Sequence, residues 1–183
     1  MHNKAMHRKS KPPLRSGLAS CDGGRYEAKP NMEVTINNKD YLDDFIRLNE
    51  EWIEKYFVLE EADKNLAKAP EKIIDNGGFI FTLTIENKAI GVCALFNEGS
   101  GVYELARMAV SPQHHGNGYS NKLLTACFKK LTEVNAQKVY LVSNTKLEPA
   151  INLYKKHGFK TISEGQHPIY ARANIVMECP LAS

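Results

Sequence analysis

Gln113, Gly116 and Gly118 lie in a polar stretch between a β-rich run, 102–110, and an apolar run of helical period, 121–134. The first backbone N–H groups of a helix have no intrahelical acceptor and carry partial positive charge, so they form an anion site. Glycine lets a phosphate approach the main chain closely. The stretch therefore predicts a loop that binds a diphosphate through backbone amides.

Two other phosphate loops fit this stretch less well. The dinucleotide-binding fingerprint needs a third glycine where this chain has Asn121, and it needs an early strand in a βαβ unit. The P-loop needs Gly-Lys followed by Ser or Thr, which is absent here. A single G-x-G occurs in many turns, so the assignment depends on a second motif.

That second motif runs from Asn144 through Tyr154 to Gly158 and Phe159, one helix and one strand after the first. Together the two motifs resemble those of the GNAT superfamily of acyl-CoA-dependent N-acetyltransferases, whose cofactor motif reads Gln/Arg-x-x-Gly-x-Gly/Ala after a strand. The resemblance covers about residues 33–178. It implies an α/β fold with a mixed, mostly antiparallel central sheet of six to seven strands. The sheet would be splayed between strands 4 and 5, with helices on both faces and acetyl-CoA, the acyl donor, in the gap.

The resemblance also implies which residues hold the donor. Main-chain groups of Met108 and Val110 would pair with the pantetheine arm, and backbone amides from 114–120 would hold the pyrophosphate. The cofactor-binding residues expected are Met108, Ala109, Val110, Gln113, His114, His115, Gly116, Asn117, Gly118, Tyr119, Ser120, Asn144 and Tyr154. No metal is expected, because no Cys, Asp or Glu stands at ligand spacing from the two histidines.

Catalysis of amide formation requires a neutral amine, so the site needs a base. Glu104 precedes the loop on the strand that would line the cleft, and a desolvated carboxylate there would have a raised pKa. The alternative for Glu104 is an ion pair or a solvated charge. Tyr154 matches the family tyrosine that protonates the departing thiolate; its alternative is a tyrosine of the core. Cys93 and Cys127 are interpreted as core residues rather than acyl carriers, so direct transfer is expected.

The resemblance implies an acceptor pocket between the first two helices and the final hairpin. Glu60 and Asp63 would attract a cationic amine, and Arg172 would pair with a carboxylate, which suits an amino-acid-like or peptide substrate. Trp52 and Tyr56 have a second interpretation as the core face of their helix. The candidate substrate-binding residues are Trp52, Tyr56, Glu60, Asp63, Tyr170, Arg172 and Asn174.

The elements that must position these residues follow from periodicity and turn residues. A strand at 33–36 leads to a helix with apolar residues at Phe45, Leu48, Trp52 and Tyr56. Runs 79–86 and 89–96 predict a hairpin, and 102–110 predicts the next strand. The remaining predictions are helices at 121–134 and 149–157 and strands at 139–142, 159–162 and 171–178.

Charge and composition divide the chain into two parts. Residues 1–30 carry seven Lys or Arg and two acidic residues, whereas the rest carries seventeen and nineteen. Residues 1–31 are therefore predicted to be a disordered basic tail or an extension, with Met32 as a hypothetical native start and 32–183 as the folded domain. The nearly neutral body does not indicate a nucleic-acid-binding surface. Without a leader or a long apolar run, and with scattered cysteines expected to stay reduced, the cytoplasm is the expected compartment.

The sequence thus predicts an N-acetyltransferase that acts on the primary amine of a small molecule, amino acid or peptide. One alternative is a non-catalytic acyl-CoA sensor or interaction module with the same fold. Another, a nucleic-acid-binding protein, would rest on the basic tail alone. A homodimer is expected only because similar proteins are commonly dimers.

Overall fold

The structure is a computed structural model that describes residues 30–168 and 170–181. Its described part contains one sheet of seven strands in the order β1-β2-β3-β4-β5-β7-β6. The strands are β1 (Met32–Ile36), β2 (Phe79–Ile85), β3 (Lys88–Gly99), β4 (Val102–Val110), β5 (Lys138–Ser143), β6 (Lys160–Glu164) and β7 (Ile175–Pro180). The helices are α1 (Leu42–Tyr56), α2 (Glu61–Ala67), α3 (Lys72–Asp75), α4 (Tyr119–Glu133) and α5 (Glu148–Lys156).

The sheet is mostly antiparallel because tight turns join its first strands. Glu86 and Asn87 both have positive φ, which two-residue turns of type I′ require, and they connect β2 to β3. β3 and β4 are also antiparallel neighbours, whereas β4 and β5 run parallel with α4 between them in the chain. This mixed sheet confirms the predicted fold class.

Two apolar layers cover the two faces of the sheet. The larger includes Leu124 of α4 and Ile151 of α5, packed against β2–β5 and β7. The smaller joins Phe45 and Leu48 of α1 to Val92 and other residues of the central strands. Helices therefore lie on both faces, as predicted, and burial of both apolar faces stabilises the sheet.

The sheet divides between β4 and β5. These strands pair only at Val102↔Lys138, Tyr103↔Val139 and Glu104↔Tyr140. Beyond Glu104, β4 continues to Val110 without β5 as a neighbour, so its edge faces an open fork. The splay between strands 4 and 5 is thereby confirmed.

A β-bulge lies in β4 just after the fork opens. Ala106 pairs with Ala94 and Ala109 with Val92, so Arg107 and Met108 occupy the place of one residue. Arg107 has φ +58, a conformation that costs energy for a residue with a side chain. The bulge turns the end of β4 relative to its start.

Three sequence expectations need correction. The last strand begins at Ile175 rather than at residue 171, because Ala173 bonds instead to the main chain of His167 and Tyr170. α4 begins at Tyr119, two residues before the start of the helix predicted at 121–134. Asn31, assigned to the tail, exchanges hydrogen bonds with Glu86. Residues 1–29 lie outside the described residues, so the rest of that prediction stays a prediction.

Across the described segments, no helix has the length and apolarity of a membrane span.

Candidate active site

The loop between β4 and α4 has an array of unpaired backbone donors. After a short 3-10 turn at Pro112–His114, no backbone N–H from Gly116 to Asn121 donates to an acceptor within the described part of the chain. Gly116 and Gly118 adopt φ +79 and +75, which favour glycine. A Cβ built on either would meet nothing within 4 Å, so the surface above the amides is open. This array has the geometry of an anion site at a helix N-terminus.

The side chains of the loop hold its main chain in place. The His115 ring Nε2 lies 2.7 Å from the Val110 carbonyl, and the Asn117 amide donates to the carbonyl of His114 at 3.2 Å. Ser111 donates a hydrogen bond to Gln113. His114 stands next to the Tyr119 ring, and its Nδ1 is buried with no partner among the described residues. In the same residues no cluster of three potential metal ligands is present.

Glu104 occupies the last rung before the fork opens. Its neighbours Tyr103 and Leu105 belong to the larger core, so Glu104 points to the opposite face of the sheet, the face that α1 covers. Burial raises the pKa of Glu104 to about 7, and Glu98 adds to the rise while Arg107 opposes it. A carboxylate with such a pKa is suited to accept a proton near neutral pH.

Two phenols that the sequence analysis missed or assigned only to the acceptor lie near Glu104. Tyr140 pairs with it across the β4–β5 rung, and parallel partners point to the same face. Burial and then Glu104 raise the pKa of Tyr140, and the same two causes raise the pKa of Tyr170. Only the register of β5, which sequence does not give, identifies Tyr140.

Tyr154 lies in a different layer from Glu104. It belongs to the larger core and contacts Phe159 edge-on, with ring centroids 5.8 Å apart. Burial, followed by the nearby Cys93 and Cys127, raises the pKa of its phenol well above the ordinary value. The sulfur atoms of those two cysteines are 3.2 Å apart in the core. Tyr154 is therefore both a core residue and a fully protonated hydrogen-bond donor.

Asp63 and Glu60 do not present free charges to an amine. Asp63 is only 4% exposed, and its carboxylate binds the guanidinium groups of Arg107 and Arg172. Burial disfavours the ionised form of Asp63. Hydrogen bonds from Arg172, from the backbone N–H of Glu60 and from Arg107 nevertheless lower its pKa to about 2. Glu60 accepts from the backbone N–H of Arg172 at 3.2 Å. The expectations that Asp63 attracts a cationic amine and that Arg172 meets a carboxylate of the substrate stay predictions, and in the described structure both side chains are already paired.

Asn144 and Asn174 bind the protein itself. The Asn144 amide donates to the Arg172 carbonyl at 2.7 Å and accepts from the Lys146 N–H at 2.9 Å. Asn174 accepts from the N–H of Thr145 at 2.8 Å and donates to its hydroxyl at 2.9 Å. Both side chains fix the β5–α5 turn to the segment before β7. The contacts expected of Asn144 with the cofactor and of Asn174 with the substrate stay predictions.

The remaining candidates occupy mixed environments. Trp52 is partly buried against the smaller core, as its alternative interpretation predicted, and its ring centroid lies 5.4 Å from that of Tyr56. Tyr56 is 45% exposed at the end of α1. On β4, Ala109 is buried and paired with Val92, and Met108 packs on the larger core from the bulge. The pantetheine contacts expected of Met108 and Val110 remain a proposal.

Fold and site together define an α/β protein with a cleft where its sheet splits, bordered by a loop with an array of unpaired backbone amides and by a protonatable carboxylate. A model of the family described as acetyltransferase (GNAT) family matches residues 40–159. The chain belongs to this GNAT acetyltransferase family. It is also 44% identical over 61 residues to an N-alpha-acetyltransferase of Sulfurisphaera tokodaii; the match spans 33% of this chain and only 36% of that protein.

Solved structures of similar fold support the architecture. A GNAT-family acetyltransferase from Staphylococcus aureus Mu50 superposes with a TM-score of 0.74 at 18% identity, covering 83% of this chain and all of the other. PaiA N-acetyltransferase from Thermoplasma acidophilum, in complex with coenzyme A, gives 0.65 at 18% identity over 82% and 99%. The ribosomal-protein-S18-alanine N-acetyltransferase of Escherichia coli gives 0.67 at 17% identity over 84% and 96%. At these identities the likeness concerns the fold alone.

Proposed function

We propose that the protein transfers acetyl from acetyl-CoA to a primary amine of a small molecule, amino acid or peptide in the cytoplasm. The amine attacks directly within a ternary complex. The observation that carries the proposal is the position of Glu104 at the opening of the fork, on the strand that leads into six unpaired amides. The proposed transfer needs a proton acceptor and an anion site at the two ends of one cleft, and this arrangement supports both roles.

The donor would bind along β4 and the following loop. Amides from Gly116 to Asn121 suit a pyrophosphate, because each charge-assisted hydrogen bond is worth about 1.5–3 kcal/mol. The free edge of β4 beyond Glu104 offers main-chain groups to the pantetheine amides. These contacts aim the thioester at the fork, where Glu104 lies.

Glu104 would remove the proton that the amine loses. The nitrogen forms its bond to the thioester carbonyl carbon, the carbon–sulfur bond breaks, and the released proton passes to the carboxylate. A base with a pKa near 7 is largely ionised at slightly alkaline pH and still holds a proton well. Tyr140 shares its face and is available to orient the incoming amine.

Tyr154 would donate a hydrogen bond to the departing sulfur. Its raised pKa keeps the phenol protonated, as this role requires. The same raised pKa makes full proton transfer to a thiolate costly, so stabilisation of the sulfur by the hydrogen bond is the larger part of the role. The nearby core thiols have no part in direct transfer.

The acceptor is defined only by the chemistry of a primary amine. An N-terminal amine of a peptide has specific support, since the Sulfurisphaera relative is described as an N-alpha-acetyltransferase. The exposed Tyr56 at the end of α1 and the partly buried Tyr170 offer aromatic surface for such a chain. We therefore place a peptide first among the acceptors to be tested.

The test measures thiol release from acetyl-CoA by the full chain across a panel of amines: a peptide with a free N-terminus, an amino acid and a polyamine. We expect release that depends on an acceptor, with the same peptide blocked by N-terminal acetylation as the matched control. Calorimetry with acetyl-CoA alone separates binding from turnover. Binding without acceptor-dependent release would instead support the sensor alternative, and no binding would remove both.

A further inference from the structure

The carboxylate of Asp63 accepts four hydrogen bonds from three separate segments. Its Oδ2 accepts from the backbone N–H of Glu60 at 2.8 Å and from Nη1 of Arg172 at 2.7 Å. Its Oδ1 accepts from Nη2 of Arg172 at 2.8 Å and from Nη1 of Arg107. Each oxygen of a carboxylate can take two such bonds, so the group is saturated.

Two of the three segments that Asp63 joins lie near Glu104: the β4 bulge follows it in the chain, and the segment before β7 carries Tyr170, whose pKa is raised by burial and then by Glu104. Asp63 itself lies in α2, Arg107 lies in the β4 bulge three residues after Glu104, and Arg172 lies in the segment that also carries Tyr170. Arg107 is held with φ +58, a strained conformation that persists only when its surroundings fix it. The ion pair with Asp63 is the contact that fixes the guanidinium.

We propose that Asp63 is a positioning residue, which clamps α2, the β4 bulge and the segment before β7 together and so keeps the guanidinium of Arg107 within electrostatic range of Glu104. This inference rests on the proposed function for its meaning, because it explains how the base is tuned. Its structural content, however, is the link from Asp63 through Arg107 to Glu104, which can be measured without turnover.

The charged and titratable groups around Glu104 define what each change does. Among the described residues that act on its ionisation, Arg107 favours the charged form and Glu98 disfavours it. Tyr140 and Tyr170 are neutral phenols near neutral pH, because burial raises the pKa of each. The groups that interact electrostatically with Glu104 are Glu98 of β3, Arg107 of β4, Tyr140 of β5 and Tyr170 of the segment before β7. Asp63 of α2 pairs with Arg107 and with Arg172.

The sign of one pKa shift distinguishes clamping from a simple charge effect. Deleting the negative charge of Asp63, with Arg107 unmoved, would lower the pKa of Glu104. Releasing Arg107 to solvent would raise it, because the cation that favours the carboxylate is lost. The clamp therefore predicts a rise in Asp63→Ala, in the same direction as in Arg107→Gln.

The experiment is a carboxyl ¹³C NMR titration of Glu104 in the full chain without acyl-CoA, with the signal assigned by its loss in Glu104→Gln. We expect upward pKa shifts of about one unit in Asp63→Ala and in Arg107→Gln. The double variant should shift no further than Arg107→Gln alone, since Asp63 acts through Arg107. The control is Asp44→Ala, which removes an exposed ion pair with Arg47 on α1 and should leave the titration unchanged.

A downward shift or an unchanged pKa in Asp63→Ala would overturn the proposal, as would additive shifts in the double variant. If Asp63→Ala does not fold, Asp63→Asn decides in the same way, because one amide oxygen cannot satisfy four donors. In active protein, the acid limb of the pH dependence of kcat/KM should move upward with the NMR value. Since the titration needs no turnover, absence of transferase activity would defeat the proposed function without deciding the clamp.

Discussion

The side of the cleft that we propose binds the donor presents main-chain groups that have no partner among the described residues, whereas the side proposed for the acceptor consists of side chains that already bind one another. In the loop and the first turn of α4, the amides of 116–121 donate to no acceptor that the structure describes, and the space above Gly116 and Gly118 is open. Across the fork, Asp63, Arg107 and Arg172 form closed ion pairs. We propose that the first side binds the pyrophosphate of the donor and that the second side holds Glu104 in a fixed electrostatic environment.

This contrast teaches where binding energy and tuning reside. A main-chain anion site depends on backbone conformation, so it tolerates side-chain change except where a residue must be glycine. A side-chain cluster depends on identity and charge, and the loss of one partner leaves the others buried and unpaired. Substitutions should therefore act on donor affinity at one side and on the base at the other.

Glu104→Gln should give the largest effect and the sharpest separation of the two sides. Removal of a general base costs about 10²–10⁴-fold in kcat/KM, whereas the affinity for acetyl-CoA measured by calorimetry should stay the same. A variant that loses donor binding together with turnover would contradict the separation.

The same substitution should stabilise the fold at alkaline pH. The pKa of Glu104 is raised by burial to about 7 in the folded state, so its contribution to stability declines as pH rises from about 4.5 through 7. Glutamine is neutral and avoids this decline. At pH 8 the free energy of unfolding in urea should exceed that of the parent by on the order of 2 kcal/mol.

How much the sequence predicted follows the same division. Gln113, Gly116 and Gly118 have spacing that specifies a strand–loop–helix junction, so this junction was predictable from local pattern. The splayed sheet was expected from the family resemblance, and donor binding at the loop stays a prediction. Glu104 was predictable as a strand residue before that loop. These are features for which local backbone conformation decides the structure.

The acceptor side was not predictable because tertiary pairing decides it. Asp63 lies 44 positions before Arg107 and 109 positions before Arg172, the two residues with which it forms ion pairs. No local pattern links residues that are so far apart in the chain. Tyr140 becomes a neighbour of Glu104 only through the β4–β5 register. Asn144 and Asn174 were expected to contact ligands. In the structure the Asn144 side chain binds the Arg172 carbonyl and the Asn174 side chain binds Thr145, and only folding brings these residues together.

Gly118→Ala should produce the next largest effect, on donor affinity. Alanine at φ +75 costs about 1–2 kcal/mol, so the loop would relax and disperse its amides. We expect the Kd for acetyl-CoA to rise about tenfold by calorimetry. Gly99→Ala is the matched control, because Gly99 also has a positive φ, +82, with open space where a Cβ would lie, but it ends β3 next to the β3–β4 turn.

Both glycine variants should lose similar stability, and only Gly118→Ala should lose affinity. Equal affinities in the two variants would show that the amide array does not bind the donor. A loss of affinity in Gly99→Ala would show that general loosening of the sheet, and not the loop, sets donor binding.

The smallest effect concerns the acid stability that Asp63 confers. Burial alone would raise the pKa of Asp63. Hydrogen bonds from Arg172, from the backbone N–H of Glu60 and from Arg107 lower it to about 2 in the folded protein. Its ordinary value is 3.8, so the unfolded chain takes up this proton first as pH falls. The stabilisation is therefore complete above about pH 4 and is lost as pH falls through about 2.

Urea midpoints of the parent and Asp63→Asn should differ most at pH 6 and converge toward pH 2. The control is Asp44→Asn, which removes an exposed pair with Arg47 and should differ little from the parent at either pH. A constant gap between the parent and Asp63→Asn would show that the cluster stabilises the fold by packing rather than by charge, and the distinction between the two sides of the cleft would then rest on the glutamate alone.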